Sequence, residues 1–362
     1  MAFPERVRAT GGAFLACVLL LTGTDAALAD PVPVQTVARG QTAGLSGSER
    51  LRTFAWGKWL DTGQAPREIV AAMRSALTRQ GFYHDGEAPA LVWTDARAAP
   101  LLGYETNVNG GVAQDSFTFG GYVFEAVPEV RAVPGIVLGI DGSGLARFAW
   151  DTGRTLEVAA SGTFGWAPQS DHSFRRGTVQ LCSRNHVVRW IFLDACLLRA
   201  VSARDLASSS IDRASLTLSK LFEAPSAWHE LSGELATTRT GTYEQTTGSI
   251  ALGSVWDHAV TDASFTLGAP VDGITALDYR LAFDIRWLAG GHPTAIGFWT
   301  SASSGGNFLG VERVDEASGI TASWQATSGL TAEIGYARVN STADLYDDES
   351  VTFRLRVDDW RF

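Results

Sequence analysis

Two acid–histidine pairs, Asp171-His172 and Asp257-His258, have side chains that could activate water, because an imidazole beside a carboxylate can act as a general base. Neighbouring residues of a strand point to opposite faces, so neither pair is preformed unless it lies in a loop, where we expect His172. Beyond the first thirty residues the chain has no Gly-x-Ser-x-Gly, His-Glu-x-x-His or phosphate-loop motif. We therefore predict no catalytic site, no metal and no cofactor.

A second group of reactive side chains consists of charged residues that alternate with apolar ones. In the eleven residues from Leu277 to Trp287, six large apolar residues alternate with four charged residues and one alanine. Alternate side chains of a strand lie on opposite faces. If the apolar face contacts lipid, the charged face lines a lumen. This reasoning predicts luminal positions for Asp278, Arg280, Asp284 and Arg286, and by the same alternation for Glu157, Glu230, Glu234, Glu333, Arg354 and Arg356.

These luminal charges have two interpretations. One is a charged constriction, or a surface to which a plug docks. The other is a ladder of salt bridges between neighbouring strands, with a stabilisation of ~0–1 kcal/mol for each solvated pair.

The first thirty residues predict export. Arg6 and Arg8 precede an apolar run over 13–21 that is too short to span a bilayer as a helix, and Ala27-Leu28-Ala29 resembles a signal-peptide cleavage site. We expect a cleaved signal peptide over 1–29. After its removal Cys182 and Cys196 remain. In an oxidising compartment they can form a disulfide, and two free cysteines are the alternative.

Composition excludes two classes of protein. The net charge is −10 and the pI about 5.1, which argues against a nucleic-acid partner, because phosphate binding needs clustered positive charge. The longest apolar stretch after residue 30, from Val187 to Val201, is interrupted by Arg189, Asp194 and Arg199. The exported chain therefore crosses a membrane as strands or not at all.

Residues 30–100 are expected to form a periplasmic lead with one or two helices. Residues 30–50 are predicted to be flexible because they are rich in Pro, Gly, Thr and Ser. Apolar residues at helical spacing predict a helix over 66–80 and a partner over 51–60. This helix pair is interpreted as a plug, or as an arm against the end of a barrel.

From residue 101 to 362 the apolar period is two, which predicts an all-β fold. The two clearest strands have eleven and twelve residues, longer than the strands of most soluble sandwiches. Turn clusters such as 141–144 and 303–306 separate the strands. Aromatic residues at strand ends are typical of the interfacial girdles of membrane barrels; here they are Trp166, Trp256, Trp287, Trp324 and Tyr336. We predict an antiparallel transmembrane β-barrel of about fourteen strands, with a range of 12–16.

The C-terminal residues fit a barrel-assembly signal, because an amphipathic last strand ends in Trp360 and Phe362. These two aromatics are out of phase with Phe353 and Leu355. A β-bulge at Asp358-Asp359 would restore a common face.

The segment from Pro100 to Gly111 resembles the first barrel strand of surface lipoprotein assembly modifier proteins, in which a helical-repeat domain precedes a 14-stranded outer-membrane barrel. The matching residues are Tyr104, Glu105, Asn107, Val108 and Asn109, together with the terminal Phe362. The resemblance implies location in the outer membrane of a Gram-negative bacterium and a role in moving lipoproteins to the cell surface. The family's multi-repeat domain is reduced here to at most one helix pair.

Sequence and resemblance together predict a barrel for translocation or passage across the outer membrane, including surface lipoprotein export. The alternatives are a porin-like diffusion channel and an outer-membrane hydrolase with a rim active site at His172; a soluble periplasmic β-protein is a third. The expected partners are outer-membrane lipid, the barrel-assembly machinery and a lipoprotein cargo, and no nucleic acid.

Overall fold

A computed structural model describes residues 33–119, 121–327 and 329–357 of the 362-residue chain. The predicted signal peptide, the predicted bulge at Asp358-Asp359, and the assembly-signal residues Trp360 and Phe362 lie outside the described residues.

Among the described residues three α-helices precede the barrel: α1 (Pro33–Thr42), α2 (Glu49–Asp61) and α3 (Arg67–Arg79). A 3-10 turn, Ala43–Leu45, follows α1. Ser48 caps α2, because its side chain accepts a hydrogen bond from the amide of Leu51. The predicted helices over 51–60 and 66–80 are confirmed.

Over the described residues 33–50 the prediction of a flexible lead was wrong, and so was the limit of two helices. Glycine and threonine give α1 a weak intrinsic tendency to be helical, but tertiary contacts stabilise it. Arg39 is 1% exposed, and the hydroxyl of Thr42 donates to the carbonyl of Asp257 at 2.8 Å.

Fourteen strands form one closed antiparallel barrel, as predicted. Each strand pairs with its neighbours in the barrel sequence, and the first pairs with the last over Leu101–Glu105 and closes the ring. Numbered in chain order, the barrel strands are β1 (Ala90–Glu105), β4 (Gly135–Asp151), β5 (Arg154–Ala167), β6 (His172–Val188), β7 (Ile191–Arg204), β8 (Ser208–Ala224), β9 (Ala227–Thr240), β10 (Glu244–Val255), β11 (Ala259–Gly268), β12 (Ala276–Ala289), β13 (His292–Phe308), β14 (Val311–Thr327), β15 (Leu330–Ser341) and β16 (Asp348–Val357). A separate hairpin, β2 (Ser116–Phe119) with β3 (Tyr122–Glu125), lies in the connection from β1 to β4.

The two ends of the barrel differ in their connections. At the short-turn end, where β1 begins, connections of two or three residues join β4 to β5, β6 to β7 and each later pair. At the opposite end, called here the loop end, residues 106–134, 269–275 and 342–347 form longer connections. Short turns at one end and longer loops at the other are typical of outer-membrane barrels, whose short turns face the periplasm.

The barrel begins earlier than predicted, at Ala90 instead of residue 101, because residues 94–100 are small or polar and lack an apolar alternation. Two predicted turns were also wrong. Residues 141–144 lie within β4, and residues 303–306 lie within β13, where the register shifts beside Gly305. The φ of Gly305 is +103°, so this cluster forms a β-bulge instead of a turn.

The outer surface of the barrel is apolar. Leu197 is 58% exposed, Phe298 47% and Trp324 48%, and the residues on either side of each of them in the strand point inward. Such a surface is stable against lipid tails and unstable in water, which makes the fold a transmembrane β-barrel. None of the described helices has the length and apolar character to cross a membrane.

Candidate functional site

The lumen at the short-turn end is filled by the chain's own helices, residues 33–79, which we call the plug. Leu51, Phe54 and Ala55 of α2 are buried against an apolar patch of the inner wall. That patch consists of Phe192, Leu221, Trp228, Val255 and Val260. Burying each large apolar side chain is worth about 1.5–3 kcal/mol. This end of the lumen is therefore built to hold the plug, whereas a water-filled pore would have a polar wall there.

Ion pairs add specific anchors between plug and wall. Arg50 of α2 and Asp194 of β7 form two hydrogen bonds of 2.9 and 2.6 Å, with side chains 12% and 13% exposed. Lys58 lies 2.7 Å from Glu223 near the β8–β9 turn. Ser48 donates a hydrogen bond to Glu230 of β9.

The predicted pair Asp257-His258 is another anchor. The Arg39 Nε atom donates to Asp257 at 2.7 Å, and Arg39 Nη2 donates to the carbonyl of Pro225 at 2.8 Å. Asp257 therefore fixes α1 in place, and its carboxylate is committed to an arginine instead of to the adjacent histidine.

Arg147 of β4 joins the wall to two plug helices. Its Nε donates to Glu157 of β5 at 2.8 Å, while its Nη1 donates to Glu49 of α2 at 2.8 Å and to the Arg79 carbonyl of α3 at 3.0 Å. The Arg147 side chain is 6% exposed, so these bonds are shielded from water. Arg184 of β6 completes the cluster with a bond of 2.7 Å to Glu157.

The Glu49 carboxylate depends on this cluster. Burial alone raises the pKa of Glu49, but the charges and hydrogen bonds of Arg147 and Arg79 outweigh it and hold the pKa below its ordinary value. Glu49 therefore contributes to plug docking in its ionised form.

A polar cavity lies between the plug and the wall. It has a volume of 690 Å³ and is lined by residues of α2, α3 and nine barrel strands, β1 and β4 to β11. Its charged lining residues are Glu49, Arg50, Arg52, Arg79, Arg97, Arg147, Glu157, Arg184, Asp194, Glu230 and Asp262. We call it the plug cavity.

The loop end is narrowed by the 106–134 connection. Val108 is fully buried, and the side-chain oxygen of Asn109 accepts from the amides of Gly111 and Val133. The Asn109 carbonyl in turn accepts from the amide of Leu206 in the β7–β8 turn. The connection is therefore hydrogen-bonded to a turn at the barrel rim.

Tyr104 and Glu105 end β1, but Asn107, Val108 and Asn109 follow it. The prediction that all five lie in the first strand was wrong, because the two asparagines make turn-like side-chain bonds that compete with strand pairing.

Glu105 is surrounded by arginines at this end of the lumen. Arg176 of β6 donates to it at 3.3 Å, Arg204 of β7 at 3.2 Å, and Arg354 of β16 lies 3.6 Å away. Arg176 and Arg204 also pack over the ring of Phe174. Three guanidinium groups around one carboxylate give this constriction an excess of positive charge.

Most predicted luminal residues share the inward face of their strands. Arg280 packs on the inward ring of Trp299, Arg286 donates to Asp262 at 2.7 Å, and Glu234 accepts from Arg213. By register, Glu333 lies beside Arg354, and Arg356 follows on the same face. Inward positions also hold Glu157, Glu230 and Asp284. Their part in passage stays a prediction.

Asp278 departs from the predicted pattern. The register of β12 against β13 shifts between Leu277 and Tyr279, so Asp278 is the unpaired residue of a β-bulge. The predicted strict alternation holds only from Tyr279 onward.

Sequence reasoning missed several inward charges that form ion pairs, namely Arg147, Arg176, Asp194, Arg204 and Asp262. Each lies in a strand with a weak apolar alternation. A neighbouring strand with a clear alternation shows which of its residues face inward. Carrying that assignment over to the paired residues of these strands would have predicted them.

Cys182 and Cys196 form a disulfide between β6 and β7. They are paired directly across the two strands, in line with the inward-facing Glu157.

His172 begins β6 instead of lying within a loop, and its partner is not Asp171. Its Nδ1 lies 2.6 Å from Asp205, whereas Asp171 accepts a bond from Trp166. Within 33–119, 121–327 and 329–357, no group of three or more His, Cys, Asp or Glu side chains is arranged to hold a metal ion.

No known protein family matches this chain, and no curated protein matches it either. Its fold is similar to those of several solved structures. OccAB1 of Acinetobacter baumannii is 8% identical, with 77% of this chain and 99% of that chain covered and a TM-score of 0.41. OccK1 (OpdK) of Pseudomonas aeruginosa is 8% identical over 75% of this chain and 100% of that chain, with a TM-score of 0.44. OprD of Pseudomonas aeruginosa is 11% identical over 76% and 97%, with a TM-score of 0.38. At these identities the likeness concerns the fold alone.

Proposed function

We propose that this protein is a passage channel of the outer membrane for small polar solutes, closed at rest by its own plug. The short-turn end, with the plug, faces the periplasm, and the loop end faces outward. The observation that carries the proposal is the position of the plug. Its helices lie inside the lumen, held by Arg147 and by the Arg50–Asp194 pair, at the point where they obstruct passage.

The attachment of the plug supports a gate more than a permanent core. Beside the apolar contacts of α2, its interface contains several ion pairs and a cavity of 690 Å³, whereas a permanent barrel filling is expected to be closely packed throughout. Ion pairs of this kind can be exchanged for water when the helices leave.

Lipoprotein export remains a prediction of the family resemblance. In that family a helical domain precedes the barrel and is available to a partner. Here the helices occupy the lumen, which favours passage through the barrel.

Planar-bilayer recording of the full chain tests the proposal. At rest we expect few and short openings. Urea on the short-turn side, at a concentration that leaves the barrel folded, should release the plug and open large steps that close again when the urea is washed out. A barrel that stays folded and silent under these conditions would contradict the proposal. Fractionation with and without detergent checks the membrane location.

A further inference from the structure

The plug cavity has charges of opposite sign on opposite walls. On the side of β1, β4, β5 and β6, the described lining residues include five arginines and two glutamates. The arginines are Arg52, Arg79, Arg97, Arg147 and Arg184. On the side of β7, β9 and β11 it is lined by Asp194, Glu230 and Asp262; Arg50 pairs with Asp194 and Arg286 with Asp262, so the three carboxylates outnumber these two arginines by one. In the fourteen-strand ring β4 and β11 are seven strands apart, so Arg147 and Asp262 lie across the lumen from each other.

A lone charge fits such a cavity poorly, because one wall attracts it and the other repels it. A molecule with both charges gains on both walls. Arginines bind carboxylates through paired N–H groups, and an ammonium group donates to carboxylates.

One arginine on the basic side has an unused donor. Arg52 Nε is buried and has no hydrogen-bond partner among the described residues, although buried polar groups are normally paired. The guanidinium of Arg52 packs against Trp56, which also lines the cavity. A ligand carboxylate is the kind of group that would satisfy this donor.

The cavity also has apolar lining residues. Trp56, Phe82, Trp93 and Phe192 contribute to its lining. Its volume falls within the range of about 300–1,000 Å³ that is typical of small-molecule sites. These aromatic rings would accommodate the side chain of an aromatic zwitterion.

We propose that the plug cavity binds a zwitterionic solute of amino-acid size, with its carboxylate toward the Arg52 side and its ammonium toward the Asp262 side. This inference rests on the proposed function, because the lumen is the route by which the solute reaches the cavity. It deepens that function by assigning the charge pattern of the solute.

Calorimetric titration of the full chain in detergent tests the proposal with three probes that share one ring. These are L-phenylalanine, which carries both charges, 3-phenylpropanoate, which lacks the ammonium, and phenethylamine, which lacks the carboxylate. We expect L-phenylalanine to bind at least about tenfold more tightly than either of the others, because it makes one more charged contact with the cavity. Equal affinity for all three probes, or no binding of L-phenylalanine, would overturn the proposal.

Two variants test which wall of the cavity binds the carboxylate and which binds the ammonium group. Arg52→Gln should weaken L-phenylalanine and 3-phenylpropanoate by about tenfold and leave phenethylamine unchanged, and Asp262→Asn should weaken L-phenylalanine and phenethylamine but not 3-phenylpropanoate. Arg199→Gln, on the exposed outer surface, is the matched control. Heat-modifiable gel mobility confirms folding. Arg52→Gln keeps the test decisive even if Asp262→Asn fails to fold, because a uniform effect of Arg52→Gln on all three probes would refute the assignment.

Failure of this inference is separable from failure of the proposed function. If the channel opens in urea but the closed protein does not distinguish the probes, the passage function stands and the zwitterion site is rejected. If the probes are distinguished but no current ever appears, the site stands as a binding site and the channel is rejected.

Discussion

Removing the negative charge of Asp194 should unlock the plug. Asp194 and Arg50 share two hydrogen bonds, and each side chain is nearly nine-tenths buried. In Asp194→Asn, one acceptor remains but the guanidinium of Arg50 loses its hydrogen-bonded counterion. Removing one partner of a buried ion pair costs about 3–5 kcal/mol. We take the lower end, about 3 kcal/mol, because the asparagine oxygen still accepts one bond.

That free energy sets the size of the effect. At about 1.4 kcal/mol for each factor of ten, a loss of 3 kcal/mol shifts the docking equilibrium of the plug by more than about a hundredfold. In planar bilayers the open fraction of Asp194→Asn should rise by a comparable factor until it saturates. Protease added on the short-turn side should also cleave the plug faster.

Two further variants make the test specific. Asp212→Asn removes a carboxylate that lies 3.6 Å from Arg199 on the outer surface, where both side chains are more than half exposed, and it should leave the open fraction unchanged. Adding Arg50→Gln to Asp194→Asn removes the uncompensated charge and should recover part of the closure. If Asp194→Asn stays as closed as the wild type, this pair does not hold the gate.

Three other perturbations should change plug docking or selectivity in defined directions. A Cβ on Gly40 of α1 would lie 2.4 Å from a ring carbon of Trp59 of α2, so Gly40→Ala should destabilise the packing of these two plug helices by about 1–3 kcal/mol and thereby weaken docking. Gly44→Ala, with nothing within 4 Å of the added Cβ, should not; the open fraction measures both. Because the pKa of Glu49 lies below its ordinary 4.5, its contribution is complete above pH 4.5 and is lost as pH falls through the lowered pKa. The difference in open fraction between wild type and Glu49→Gln should therefore shrink in that acidic range, and a difference that grows would contradict this account. Arg204→Gln removes one of three positive groups at the loop-end constriction, so the reversal potential of the unlocked channel in a KCl gradient should move toward lower chloride preference.

The barrel was predictable from the sequence because the alternation of apolar residues that indicates a strand is a local pattern. In β12 the apolar residues from Tyr279 to Trp287 occupy every second position, and a membrane requires that pattern of any spanning strand. The start of β1 was missed for the same reason. Between Thr94 and Pro100 the outward side chains are small, so the alternation carries little information although the strand pairs with β4 along its whole length.

The plug was only partly predictable because its position depends on distant contacts. The periodicity of α2 and α3 indicates two helices but not the surface that they cover. The Arg39–Asp257 bond joins residues 218 positions apart, and no local sequence pattern predicts it. Arg147 was missed as well, because its partners Glu49 and Glu157 lie on a helix and on a neighbouring strand.

The central claim is that residues 33–79 close the barrel at its short-turn end, and their deletion tests it most directly. The shortened chain should still run as a heat-modifiable barrel, because the ring of strands closes on itself through β1 and β16. We expect it to give stable, long-lived current in planar bilayers, where the full chain gives few and short openings. A folded deletion variant that conducts no better than the full chain would contradict the claim.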